Sequence, residues 1–204
     1  MIYAVVPVKT LAVAKSRLEP ALSATERAGL VESLLQGVLR ALAESGVVAL
    51  TAVVSPDPRA CALAQALGAV GLPDPGGGLN AALEAGRTWA VAQGATALLV
   101  LLGDLPLLAG SDIAALAALL VAAPAADPTV VLAPDRRDGG TNAMLLRPPG
   151  ALPFAFGLDS YRRHHAAATA AGVAVRLYRA PGTAFDLDTP SDLADLPVPV
   201  ALHL

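Results

Sequence analysis

The sequence predicts an α/β fold: one domain over residues 1–204, with a mainly parallel, mixed sheet flanked by helices. Three observations predict it. Short apolar runs alternate with helix-period patterns along the whole chain, the order expected of a layered parallel sheet. The run at residues 97–102 is almost continuously apolar, as a strand covered on both faces must be. Residues suited to chemistry gather just after the apolar runs, where sheets of this kind bind ligands.

Residues 2–6 form the first apolar run, a buried strand. Ser23-Ala-Thr-Glu26 has the capping-box pattern. It opens a helix whose apolar positions Val31, Leu34, Leu35, Val38, Leu39 and Leu42 recur at a period near 3.6, and Gly46 ends it. A strand over 47–54 and a turn at Ser55-Pro-Asp-Pro58 follow, then a helix over 61–67 that stops at Gly68, and a short strand over 69–72. After Pro73-Asp-Pro-Gly-Gly-Gly78 a helix runs to about residue 93. The apolar strand at 97–102 leads into a helix over about 111–123. Strands at 129–133 and 141–146 flank a Gly-rich turn and give the sheet its mixed character. A helix over about 159–171 and a strand over 173–178 come next. Thr189-Pro190 supplies an N-cap and first-turn pair for a last short helix.

Bulk properties exclude several classes. Net charge is −3, against a nucleic-acid partner held by bulk electrostatics. The most apolar stretches are too short to span a bilayer, and the N-terminus lacks the pattern of a secretion signal. Cys61 is the only cysteine, so no intrachain disulfide is possible; a cytoplasmic protein is expected. The apolar tail at 198–204 could cover a neighbouring copy in a homodimer.

Lysine is rare: the only two, Lys9 and Lys15, lie six residues apart after the first strand. A flexible ammonium suits phosphate, and the loop after a first strand is a common phosphate site. Asp104 follows the apolar run and a glycine, at the rim of the sheet. Asp186 and Asp188 stand at i and i+2, pointing the same way in extended chain. Three such carboxylates suit Mg²⁺, which takes oxygen ligands and leaves room for phosphate; taken singly, Asp104 and Asp188 could equally be caps. Gly76-Gly-Gly78 lets backbone approach a ligand, and Asn80 could read a nucleoside edge or cap a helix. Gly139-Gly-Thr-Asn142 could offer backbone N–H groups and a hydroxyl to an anion, and Gly157-Leu-Asp-Ser160 opens a helix whose N-terminus could do the same. His164-His165, on a predicted helix beside two arginines, is expected on a solvated basic face. Cys61 and Trp89 are expected to pack.

Six segments carry a family resemblance. They are Pro7-Val-Lys-Thr-Leu-Ala-Val-Ala-Lys-Ser-Arg-Leu18, Gly78-Leu-Asn-Ala-Ala-Leu83, Gly103-Asp-Leu-Pro-Leu-Leu108, Ala133-Pro-Asp-Arg-Arg-Asp-Gly-Gly-Thr-Asn-Ala143, Phe156-Gly-Leu-Asp-Ser-Tyr161 and Asp186-Leu-Asp-Thr-Pro190. In this order and spacing they resemble the 2-phospholactate/phosphoenolpyruvate guanylyltransferases of coenzyme F-420 biosynthesis. The resemblance implies a Rossmann-like, nucleotide-diphospho-sugar-transferase-like fold. It implies transfer of GMP from GTP to a phosphorylated three-carbon acid, namely phosphoenolpyruvate, 2-phospho-L-lactate or 3-phosphoglycerate, with Mg²⁺ as cofactor. It implies catalytic roles for Lys15 and Asp104. Lys9, Lys15, Ser16, Arg17, Gly78 and Asn80 would meet the nucleotide, and Thr141, Gly157 and Ser160 the acceptor. Asp104, Asp186 and Asp188 would hold the metal. One departure is visible: Leu102-Gly103 precedes Asp104 where Pro-Ala is common in the family. Three other classes remain open: a different nucleotidyltransferase, whose longer Gly-rich loop Pro7–Leu18 lacks; a glycosyltransferase, from the loose Asp-x-Asp pattern; and a non-catalytic nucleotide sensor.

Overall fold

The computed structural model describes residues 1–11 and 14–196; the apolar tail at 198–204 lies outside them. Seven strands form one sheet: β1 (Ile2–Pro7), β2 (Val48–Ser55), β3 (Val70–Pro73), β4 (Ala97–Leu101), β5 (Thr129–Pro134), β6 (Thr141–Arg147) and β7 (Ala174–Leu177). Their order across the sheet is β3-β2-β1-β4-β6-β5-β7. Only β6 runs against its neighbours, pairing antiparallel with β4 and β5, while β1 to β4 are mutually parallel and β7 is parallel to β5. The hairpin β5–β6 explains the mixed sheet: a short turn can join only antiparallel strands.

Helices cover both faces. Alternation along each strand divides the side chains: Ala4, Val6, Leu99 and Leu101 point to one layer, and Tyr3, Val5, Leu98 and Val100 to the other. The first layer is closed by α1 (Ala24–Glu44), α2 (Pro58–Ala66) and α4 (Gly110–Val121). The second is closed by α3 (Leu79–Ala92) and α5 (Ser160–Ala170). Every residue of β4 is buried, as its continuous apolar run requires. The capping box at Ser23 forms as read, with Ser23 N–H donating to Glu26 Oε2 at 2.8 Å and Glu26 N–H to Ser23 Oγ at 3.3 Å. The six apolar positions of α1 are all buried. Trp89 packs against the second layer, tilted against Tyr3 at 5.9 Å between ring centroids.

A third, smaller cluster matters more for position than for bulk. Leu18 and Leu22 from the loop after β1, Leu30 and Leu34 of α1, and Phe185 and Leu187 near the C-terminus pack together. Between the last strand and this cluster lies α6 (Pro181–Ala184); α7 (Pro190–Ala194) follows it. Among the described residues no helix is long and apolar enough to cross a membrane.

Candidate active site

The strand order reverses between β1 and β4: the chain proceeds from β1 toward β2 and β3 on one side, and β4 begins the other. The loops leaving β1 and β4 therefore diverge and open a crevice at the strands' carboxyl edge. A cleft of about 910 Å³ lies there, at the upper end of the usual size for small-ligand sites. Lys9, Lys15 and Arg17 line it from the β1 loop, Gly78 from the turn before α3, and Asp104 from the β4 loop. Thr141, Gly157 and Ser160 line it from the far side, with Asp186 and Asp188 from the C-terminal segment. Ser16 and Asn80 are not among its lining residues.

Lys15 is the most constrained of these. Its backbone is left-handed (φ 56°) at the head of the 3-10 turn Ser16–Leu18, a conformation uncommon for a side chain of this kind. Its ammonium lies 2.6 Å from Asp104 Oδ2 and 2.6 Å from Asp188 Oδ1, with the side chain 9% exposed. Burial alone would pull its pKa down; the two carboxylates outweigh that and hold it above the ordinary lysine value. Arg17 reaches Asp188 only at 3.8 Å and is largely exposed. Lys9 is exposed at the mouth.

The three carboxylates converge because separate backbone ties fix them. Leu187 N–H donates to Asp104 O at 3.1 Å, clamping the C-terminal segment onto the β4 loop. Asp192 Oδ2 accepts from Asp188 N at 2.9 Å and Thr189 N at 2.7 Å, and the same carboxylate pairs with Arg136. Arg136 also stacks over Phe185, 4.4 Å from the ring centroid. Desolvation raises the pKa of Asp186, and the charges of Asp104 and Asp188 raise it further; bonds from Asn142 and its own backbone oppose this. Asp104 Oδ1 is buried with no hydrogen-bond partner. An all-oxygen set short of positive charge, with an orphaned buried oxygen, fits a hard divalent cation. Among the described residues, however, no three His, Cys, Asp or Glu side chains already form a metal cage. The ammonium of Lys15 stands between two of the three carboxylates.

On the opposite wall the Gly-rich turn differs from its expected role. Its backbone donors are spent on the chain itself: Asp135 accepts from Arg137 N at 2.9 Å, Gly139 N at 3.0 Å and Gly140 N at 2.7 Å. Thr141 and Ser160, almost fully buried, line this wall and bring hydroxyls to it. Ser160, the first residue of α5, accepts from Thr141 N at 2.9 Å; the N-cap position is Asp159, left-handed and without a side-chain cap bond. Asn80 spends both ends of its amide on Phe156, donating to its O at 3.2 Å and accepting from its N at 2.9 Å. It clasps α3 to the loop before Gly157. His164 corrects the sequence expectation of a solvated basic face: it is fully buried, within hydrogen-bond distance of Thr141 Oγ1 and Ala155 N. Helix periodicity places 160, 164 and 168 on one inward face, and that signal was available. The Thr189-x-x-Asp192 capping pattern could likewise have found Asp192, whereas the reach of Arg136 to it depends on tertiary structure.

The family model described as "Guanylyl transferase CofC like" matches residues 2–199. The chain belongs to this family. Guanylyltransferases of named activity are similar over nearly the whole length. The phosphoenolpyruvate guanylyltransferase of Rubrobacter xylanophilus is 51% identical over 96% of this chain and 93% of that protein. The 3-phospho-D-glycerate guanylyltransferase of Phenylobacterium zucineum is 40% identical over 90% and 84%. Among solved structures, a Desulfovibrio desulfuricans G20 protein classed as a nucleotide-diphospho-sugar transferase superposes with TM-score 0.77 at 18% identity, covering 94% of this chain and 84% of that one. A CMP:2-keto-3-deoxy-manno-octonic acid synthetase, solved with CTP, gives TM-score 0.65 at 17% identity and covers 95% of each chain. These two share the fold, which agrees with the expected nucleotide-diphospho-sugar-transferase-like architecture. As a member of the guanylyltransferase family the protein is a nucleotidyltransferase.

Proposed function

We propose that the protein transfers GMP from GTP to the phosphate of phosphoenolpyruvate, in coenzyme F-420 biosynthesis. The observation that carries the chemistry is one cleft with two unlike walls: a lysine–carboxylate cluster on one side and the hydroxyls of Thr141 and Ser160 on the other. Relatives named as phosphoenolpyruvate guanylyltransferases at 51% and 47% identity support that acceptor.

An acceptor phosphate oxygen forms a bond to the α-phosphorus, the bond from that phosphorus to the bridging oxygen breaks, and pyrophosphate leaves with the electron pair. No general base is required, because the attacking oxygen is already deprotonated at neutral pH. The obstacle is repulsion between anions, about 4 kcal/mol for two unit charges at about 4 Å and an effective dielectric of about 20. Lys15, Lys9 and Arg17 supply the positive wall for the triphosphate. Gly78, at φ 89° and ψ −175°, brings the backbone turn to the nucleotide without a side chain. Thr141, Gly157 and Ser160 hold the acceptor. Asp104, Asp186 and Asp188 would hold Mg²⁺, which supplies charge neutralisation for the phosphates. With triphosphate present, Lys15 exchanges carboxylate partners for phosphate ones.

The test is a panel of phosphoenolpyruvate, 2-phospho-L-lactate and 3-phosphoglycerate, each with GTP or ATP, read by product mass. A guanylylated phosphoenolpyruvate is expected. Product only from 3-phosphoglycerate would move the acceptor to that of the Phenylobacterium relative, and no pyrophosphate release from GTP with any acid would overturn guanylyl transfer by this cleft.

A further inference from the structure

His164 is buried behind the hydroxyl wall and takes no part in the scheme above. Its two ring nitrogens have fixed partners. Ala155 N lies 2.9 Å from Nε2, and a backbone N–H can only donate, so Nε2 must be the lone-pair nitrogen. A neutral ring then carries its proton on Nδ1, 3.0 Å from Thr141 Oγ1. The imidazolium form has no lone pair for Ala155. Burial, aided by the charge of Arg163, lowers the ring's pKa to about 4, in keeping with a neutral ring. Phe156 holds the ring edge-on at 4.8 Å between centroids.

Two consequences follow for Thr141. Its oxygen accepts from the ring, so its own proton has to be donated elsewhere. Among the described residues no other hydrogen bond of this hydroxyl is made, and Thr141 lines the cleft. Ser160 repeats the pattern: Oγ accepts from Thr141 N, which leaves its proton to give.

We propose that His164 is a positioning residue for acceptor selection: by donating from Nδ1 it fixes the Thr141 hydroxyl as a donor aimed into the cleft, matched to an anionic oxygen of the phospho-acid. This rests on the assignment of the Thr141 wall to the acceptor.

Asn carries an amide N–H near the place of Nδ1, whereas Gln carries its carbonyl near that of Nε2. His164→Gln and His164→Leu should raise KM for phosphoenolpyruvate about ten- to hundredfold and leave KM for GTP within about twofold; His164→Asn should recover most of that loss. Ring nitrogen NMR shifts of the wild-type protein should show protonated Nδ1 and unprotonated Nε2 from pH 6 to pH 8, an observation independent of whether any variant folds. The opposite tautomer, equal rises in both KM values, or an Asn variant no better than Leu would overturn the proposal. A wild-type protein inactive with every acid would instead remove the acceptor assignment beneath it.

Discussion

Lys15 and His164 both place a titratable side chain where water is scarce, with opposite electrostatic results. Lys15 keeps its charge because two carboxylates share it. Replacing it leaves them uncompensated and, on the proposed assignment, would remove the central cation facing the triphosphate. Lys15→Ala should therefore lower turnover about a hundredfold or more. Lys9→Ala, at an exposed position, should cost less than about tenfold in the same steady-state assay; the reverse order would mean that the phosphate wall is built around Lys9. His164 keeps no charge. Its folded pKa, about 4, lies below the ordinary value of 6.5. Between those values the unfolded chain binds a proton that the folded chain does not, so stability falls as pH drops through that window. The loss reaches about 3 kcal/mol near pH 4. Thermal melts of the wild type and His164→Gln between pH 7 and pH 5 should show a steeper fall for the wild type.

Elements hold the site through a few apolar anchors rather than through the charges themselves. Leu187 is fully buried between Asp186 and Asp188, in the cluster that also takes Leu18 from the Lys15 loop. Burying such a side chain stabilises by about 1.5–3 kcal/mol, enough to hold two polar segments against α1. Leu187→Ala should destabilise by about 2–4 kcal/mol. Because this one cluster anchors both the Lys15 loop and the Asp186–Asp188 segment, activity should fall further than at an equally buried leucine such as Leu116 of α4, which packs in the first layer and does not line the cleft. Matched melts and turnover for Leu187→Ala and Leu116→Ala check this. Asp192 works alongside, capping α7 while accepting from Asp188 and Thr189 backbone.

For the whole molecule, the ligand-free cleft holds two destabilising features. Asp186 is desolvated among like charges, and Asp104 holds an unpaired buried oxygen. On the proposed metal assignment, a bound cation would relieve both. Asp186→Asn should raise the melting temperature of the ligand-free protein, by about 0.5–2 kcal/mol in stability. It should also abolish the extra stabilisation that Mg²⁺ with GTP gives the wild type. That gain should be about 2.7 kcal/mol at a hundred times the dissociation constant. A variant no more stable than wild type without ligand would mean that the carboxylates are not in conflict.

The amino-acid pattern by itself determined the layered sheet, the capping box at Ser23, the both-face burial of β4 and the carboxyl-edge position of the lysines and Asp104. Those features depend on local period and on which residues can cap or turn, and both are written in neighbouring positions. Tertiary structure alone decided how distant polar groups pair. It set Lys15 between Asp104 and Asp188, separated in sequence by 89 and 173 residues. It closed the Gly-rich turn onto Asp135, turned Asn80 to the Phe156 backbone, and buried His164 against Thr141. Each of those outcomes depends on which donor and acceptor arrive within about 3 Å once the strands are ordered, and no single stretch of sequence contains that distance.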